Sequence, residues 1–363
     1  MGIERTPATL LIAVCTFVLC GILTAGLWPF NAPRNEVSWL SHANGLHFRK
    51  YSSILSAGPF NPQLADSACS LEIWLKPKRI RSSGTILAFY QPESHATSFS
   101  LRQSLGDLVL QRAGQNVSGQ AKKVKVYIED ILSHQKAVLV TISAGQSGTT
   151  VYSDGALVKR LPNFKLSSQY LTGQLIVGNS PVTTDNWSGQ LKGLALYNRE
   201  LTADEVSQHF LNWTNGSQPN LAKSVSAVAL YLFNEGNGNT IANHADSATD
   251  LLIPERFFVL HPQFLERPWD EFRWDWNYWK NVGINVAGFI PLGFFFYAYF
   301  SRLRRAEHSA TITIALGFSV SLTIEVLQAL LPTRDSGMTD LITNTLGTAV
   351  GVMAFRRRAV KAK

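Results

Sequence analysis

SLTIEVLQALLPTRDSGMTDLITNTLGTAVGV, residues 321–352, consists of two apolar runs joined by a short polar turn, with Glu325, Gln328, Arg334, Asp340 and Asn344 set among aliphatic side chains. A charged side chain at the centre of a membrane-spanning helix costs about 2.5 to 3.5 kcal/mol, so such groups are expected to face a bundle interior and to serve a purpose there. Outward from this stretch, the apolar runs Val282–Phe300, Ala310–Leu331 and Thr339–Phe355 give three expected spans. A fourth, Thr9–Trp28, is 20 residues long. At about 1.5 Å per residue it reaches roughly 30 Å, the thickness of a bilayer core. Thr24, Ala25 and Gly26 raise the alternative of a cleaved signal peptide, but the run exceeds the roughly 7 to 15 apolar residues of a signal core.

Orientation follows from the basic flanks, which stay cytoplasmic. Arg5 precedes the first run, Arg302, Arg304 and Arg305 follow the second, and Arg356, Arg357, Arg358, Lys361 and Lys363 follow the last. Both termini are therefore expected in the cytoplasm, with Pro29–Lys280 outside. Of the formal net charge of +8, residues 301–363 contribute nine basic and four acidic groups. The basicity is thus largely a topology signal, and nucleic acid is not an expected partner. Cys69 is the only cysteine in the exported part, so no intramolecular disulfide staples it.

From Ser70 to Tyr197 short apolar runs alternate with turn residues, the pattern of an all-β domain. Leu71, Ile73 and Leu75 share one face. Ser98–Arg102 with Asp107–Arg112, and Thr149–Tyr152 with Ala156–Leu161, read as hairpins. Further strands are expected at 86–90, 137–143, 174–177 and 191–197. Thr202 and Glu205 form a capping box that starts a helix, with Leu201 and Val206 as its hydrophobic staple. The words SLEIWLKP, TTVYSDGALV, GQLIVGN and WSGQLKGLALYNRELTADEVSQHF closely resemble the laminin-G-like branch of the concanavalin A-like sandwiches, over roughly residues 45 to 210. ALYLFNEGNGNTIAN, residues 229–243, resembles the strand and loop that usually open such a domain. Here it comes after the helix, which implies a permuted strand at 228–243.

Hydrolytic relatives of this sandwich carry paired carboxylates on one strand, as in Glu-x-Asp-x-x-Glu. No Glu in this chain has an Asp two positions later, so the expectation leans away from an enzyme. No cofactor is identified. Asp185 and Asn186 could ligate calcium, but no cluster of oxygen ligands accompanies them, and a turn role is expected instead.

Residues 269–279 hold Trp269, Phe272, Trp274, Trp276, Tyr278 and Trp279 among charges. Such rings favour the headgroup layer, so Trp269, Trp274, Trp276 and Trp279 are expected to anchor the chain at the interface, a sugar-stacking platform being the alternative. NVGINVAGFIPLGFFF, SLTIEVLQALLPTRDSG and MTDLITNTLGTAVGV resemble the VanZ-like membrane family over residues 278–355. Family members often have Asp where this chain has Asn281, which puts any role needing a charge there in doubt. The resemblance implies a bacterial inner-membrane protein of the cell envelope, linked to resistance against a glycopeptide of the teicoplanin kind.

At helical spacing, Asn285, Glu325, Gln328, Arg334, Asp340 and Asn344 fall in one layer near the outer end of the bundle. Three readings stay open for it: an internal hydrogen-bonded lock formed by Glu325, Arg334 and Asp340, a ligand site, or a proton-linked or catalytic site. Gly347 and Gly351 continue the Asp340 stripe and allow close helix contact, and Pro291 and Gly293 are expected to loosen the second span.

The expected architecture is a four-helix transmembrane α bundle with an exported all-β jelly-roll sandwich of the concanavalin A-like class. Its segments are residues 1–28 (cytoplasmic N-terminus and first span), 29–260 (sandwich), 261–281 (aromatic interfacial linker), 282–355 (spans two to four) and 356–363 (basic cytoplasmic tail). Expected partners are the lipid bilayer and an envelope glycan, lipid-linked intermediate or envelope assembly protein. The expected function is recognition or handling of such a glycan or intermediate, with anchored adhesion or scaffolding and an intramembrane acid-base enzyme as the alternatives.

Overall fold

A computed structural model describes residues 7–60, 68–115, 121–215, 227–245, 249–272, 274, 276–303 and 306–361. Arg5, Arg304, Arg305 and Lys363, used above for orientation, lie outside the described residues. The chain divides into two compact units, one formed by Pro33–His261 and the other by Met1–Ala32 with Pro262–Lys363.

The first unit is a sandwich of two antiparallel sheets. One sheet is ordered β1 (Ser38–Trp39), β2 (Leu46–Phe48), β13 (Gly189–Tyr197), β4 (Cys69–Pro77), β9 (Val138–Gly145), β10 (Gly148–Ser153) and β11 (Ala156–Leu161). Strand β14 (Ala227–Tyr231) pairs with the second half of β13, beyond the stretch that β2 occupies. The other sheet is ordered β15 (Thr240–Ile241), β16 (Leu251–Leu252), β3 (Ile54–Ser56), β12 (Gln174–Val177), β5 (Ser83–Gln91), β6 (Ala96–Ser104), β7 (Asp107–Gln115) and β8 (Ala121–Ile128).

Alternation on β4 shows why the layers form. Leu71, Ile73 and Leu75 are fully buried in the main core, together with Phe89, Phe99, Ile142 and Trp187. The intervening Glu72 and Trp74 face away from that core. The β10–β11 hairpin turns through Asp154 and Gly155, both at positive φ, the conformation that a tight two-residue hairpin requires.

Helix α2 (Ala203–Thr214) starts with the Thr202–Glu205 capping box, both reciprocal hydrogen bonds being present. Its Val206 and Trp213 pack with Leu201, Tyr197 and Leu230 in a second core. Glu72 is sealed there at 0% exposure. Tyr197 Oη and Trp213 Nε1 each donate to Glu72 Oε2 at 3.0 Å, and His209 Nδ1 lies 3.0 Å from Oε1. Burial, reinforced by the adjacent Glu72 carboxylate, pushes the Tyr197 phenol well above its ordinary range. The network lets α2 cover a polar strand position without stranding a charge.

The second unit is helical: α1 (Ala8–Leu27), a short α3 (Pro268–Glu271), α4 (Trp276–Leu303), α5 (Ala306–Gln328) and α6 (Met338–Lys361). Three of its helices, Ala8–Leu27, Tyr278–Leu303 and His308–Gln328, are long and apolar enough to cross a membrane. Helix α6, at 24 residues, is long enough, and among the described residues it is less apolar than these three because Thr339, Asp340, Thr343, Asn344, Thr345 and Thr348 fill its first half. It still packs along α4. A Cβ at Gly347 would strike Val286 O and one at Gly351 would strike Ile290 O, so the two backbones touch in parallel register over this length. Much of its polar first half is buried, with Thr343, Asn344 and Thr348 all enclosed.

Helix α4 runs without a break from Trp276 to Leu303 with Pro291 inside it, and Trp276 and Trp279 lie in its first turn. Helix α5 ends at Gln328, before the Pro332–Gly337 turn, which leaves Glu325 in its last helical turn.

Candidate functional site

The polar layer is built where α5 turns into α6. Glu325 is 1% exposed, and its Oε2 accepts from the backbone N–H of Gly337 at 2.8 Å. The next helix therefore begins against a carboxylate from the preceding one, satisfying an N–H at a helix start. Glu271 of α3 does the same two residues later, accepting from Thr339 N at 3.0 Å. The 265–271 segment is held there by backbone bonds Glu266 N to Ser336 O at 3.0 Å and Met338 N to Glu266 O at 2.9 Å.

Asp340 opens α6 and accepts from Asn285 Nδ2 of α4 at 2.7 Å. One helical turn deeper, Asn344 Nδ2 donates to Ser321 Oγ at 3.0 Å, with Ser321 fully buried. Below that, Thr348 fills the notch that Gly317 leaves by lacking a Cβ. Glu325, Ser321 and Gly317 descend α5 in steps of four while Asp340, Asn344 and Thr348 descend α6, so the two helices present one matched polar seam.

Gln328 and Arg334 turn elsewhere. Gln328 Nε2 donates to Gly26 O of α1 at 2.8 Å. Arg334 donates through Nε at 3.2 Å, and also through Nη2, to Trp28 O. Arg334 thus donates to the carbonyl end of α1, where the helix dipole is negative, and not to Glu325 as the lock reading would have it. Of the sequence-derived residues, Asn285, Glu325, Asp340 and Asn344 lie along the α4–α5–α6 seam, while Gln328 and Arg334 tie that end of the bundle to α1.

Sequence reasoning missed Glu271, Ser321 and Thr339. Ser321 was within reach, standing four residues before Glu325. Glu271 carried no signal, since its role depends on a chain pairing between 266 and 337 that no local pattern encodes.

The aromatic stretch is exposed as an anchor requires. Trp274 is 83% exposed, and Trp269, Trp276 and Trp279 are also open. Trp279 meets Phe272 and Trp274 edge-on, with Trp274 and Trp279 centroids 5.9 Å apart, and Phe272 and Trp274 are tilted against each other. In the sandwich, the Asp185 carboxylate is engaged by Arg102 Nη2 at 2.9 Å and by Thr85 Oγ1. That pairing fixes the loop to β5 and β6.

Residues 51–207 match the family model of the concanavalin A-like lectin/glucanases superfamily (Laminin_G_3), and residues 224–360 match that of VanZ/LLP1. The second match begins ahead of β14, earlier than the residue 278 read from sequence. No curated protein matches the chain. Among solved structures, the chain is similar to the binding domain of Paraclostridial Mosquitocidal Protein 1, at 14% identity and TM-score 0.35 over 50% of this chain and 47% of that one. It is also similar to the receptor binding domain of botulinum neurotoxin D, at 16% identity and TM-score 0.33 over 50% and 47%. A third is a native heptameric SAP-like pentraxin from Limulus polyphemus, at 16% identity and TM-score 0.29 over 48% and 78%. The match covers about half the length of the first two solved chains. The chain is thus similar to the concanavalin A-like lectin/glucanases superfamily over residues 51–207 and to the VanZ/LLP1 family over residues 224–360.

Proposed function

We propose that this membrane protein recognises an envelope glycan or lipid-linked intermediate, its sandwich binding sugar without cleaving it and its α5–α6 seam receiving a headgroup. The observation that carries the reading is the stacking of Glu325, Asp340, Asn285, Asn344 and Ser321 between apolar helices. Polar groups so placed are costly in lipid and by default mark a functional site. The exposed indoles at 269–279 support docking at the headgroup level, and the basic flanks support a sandwich outside the cytoplasm with both termini inside.

Hydrogen bonds from Gly337 and Thr339 to Glu325 and Glu271 favour a second reading, in which the layer only locks α6 in place. Native mass spectrometry of the full-length protein, extracted with its own lipids, tests the first. A headgroup class should survive detergent exchange on the wild type and be lost from Asn344→Leu. Bound lipid that merely mirrors the bulk membrane would contradict the headgroup reading.

A further inference from the structure

The hydrogen-bonding imbalance of the polar layer specifies the chemistry of what it takes. Among the described residues of the helical unit, the buried side-chain atoms without a hydrogen-bond partner are Gln328 Oε1, Thr333 Oγ1, Thr339 Oγ1 and Asn344 Oδ1. All four are oxygens: the carboxamide oxygens of Gln328 and Asn344 can only accept, while the two threonine hydroxyls each carry a hydrogen as well. Gln328, Thr339 and Asn344 are 7%, 9% and 6% exposed, so water does not compensate them freely. The Gln328 assignment is fixed by its neighbour, because Gly26 O accepts only from the Nε2 side and leaves Oε1 as the unmet atom. Asn344 lies in the seam itself, its other carboxamide atom bonded to Ser321 one turn below Glu325.

The charges have the same sign of imbalance. Glu271, Glu325 and Asp340 all bear on the Gly337–Asp340 start of α6. Opposing them are a helix N-terminus worth about half an elementary charge and the Arg334 guanidinium, whose Nε and Nη2 hydrogens go to Trp28 O. Among the described residues the layer therefore holds more carboxylate than guanidinium charge, together with two carboxamide oxygens that no donor meets. An anionic phosphate would add to both. A metal ion is not what the set is shaped for: among the described residues no three His, Cys, Asp or Glu groups come close enough to share one.

We propose that the polar layer at the α5–α6 turn binds a primary ammonium group, the amine of a lipid headgroup or of a soluble aminated compound. A primary ammonium brings one positive charge and three N–H donors, which answers the carboxylates and the unmet oxygens together. A quaternary ammonium brings the charge without the donors and is normally held by an aromatic cage instead. The inference rests on the headgroup reading above and narrows it from any headgroup to an amine.

The test is lipid competition on the full-length wild-type protein in nanodiscs, read by native mass spectrometry. The arms are phosphatidylethanolamine, phosphatidylcholine, phosphatidylglycerol and free ethanolamine. Phosphatidylethanolamine should be retained over phosphatidylcholine by about tenfold, the loss expected when charge-assisted donors are removed. Displacement by millimolar free ethanolamine would assign the amine alone as sufficient, and resistance to it would assign the lipid as the source. Equal retention of the ethanolamine and choline lipids, or preference for phosphatidylglycerol, would overturn the amine inference and leave the headgroup reading intact. No retention of any lipid, with no ethanolamine binding, would sink both. Since the wild type carries every arm, the result does not depend on a variant folding. Gln328→Leu, which removes the unmet oxygen together with the Nε2 bond to Gly26 O but no charge, should narrow the ethanolamine-over-choline preference while the protein stays membrane-inserted.

Discussion

Replacing Glu72 with Ala should unfold the sandwich well before the wild type. The carboxylate is fully buried and takes two neutral donors, Tyr197 Oη and Trp213 Nε1, with His209 Nδ1 at 3.0 Å on its other oxygen. Its removal leaves these three polar atoms in a site closed by α2, with no water to replace the lost acceptor. Breaking a buried network from one side costs about 3 to 5 kcal/mol. For a unit of this size each kcal/mol shifts the melting temperature by about 2 to 4 °C, so the loss is roughly 6 to 20 °C. Glu72→Gln keeps one acceptor oxygen for the tyrosine and indole and can donate to the imidazole, and it should cost about 1 to 2 kcal/mol, the scale of a single weakened hydrogen bond. Thermal melts of the full-length protein in detergent, followed by far-ultraviolet circular dichroism of the β signal, read both variants. A shift under about 2 °C for Glu72→Ala would refute the claim that the network holds α2 to the sheet.

Impermeant maleimide should label cysteines placed at Leu157 and Asp335 in intact spheroplasts of a Cys20→Ala strain, and should reach one at His308 only after permeabilisation; the reverse pattern would invert the orientation. Gly347→Val should separate α4 from α6, because even a Cβ there strikes Val286 O; the expected result is loss of membrane-inserted protein on quantitative blotting, while Gly283→Ala, with nothing near its missing Cβ, should leave abundance unchanged. Burial pushes the Cys69 thiol up to about 12. The reactive thiolate is therefore scarce at neutral pH, and Cys69 should resist iodoacetamide at pH 8 until the sandwich is denatured; rapid native alkylation counted by mass spectrometry would contradict the buried placement.

The legible parts of this fold are those where chemistry is local. Alternation placed Leu71, Ile73 and Leu75 on one buried face, Asp154 and Gly155 announced a hairpin, and Thr202 with Glu205 announced α2. Strand β8 was missed because AKKVKVYI alternates lysine with valine, and it reads as a solvated edge until its pairing with β7 is known. At the candidate site, Glu325, Asp340 and Asn344 could be read from helical spacing alone. Their partners could not. Arg334, Gln328 and Asn344 were the partners that spacing offered Glu325, yet the turn between α5 and α6 brings the Gly337 amide to the carboxylate. Glu271 reaches the same turn through a pairing between residues 266 and 337. Non-local pairings of this kind leave no periodicity in the sequence. The polar side chains of α6 that drew attention to the layer are also what keep that helix from being as apolar as the other three.

Comparing Glu325→Gln with the wild type for both stability and lipid retention tests the central claim most directly, because the two readings of the polar layer divide there. Glutamine keeps the shape and can still accept from Gly337 N, so only the charge is removed. The account predicts a melting temperature within about 2 °C of the wild type, a shift of at most about 1 kcal/mol, together with loss of the retained ethanolamine headgroup. Unchanged headgroup retention in Glu325→Gln and also in Asp340→Asn would contradict it, leaving α5 and α6 as a packed anchor for the sandwich.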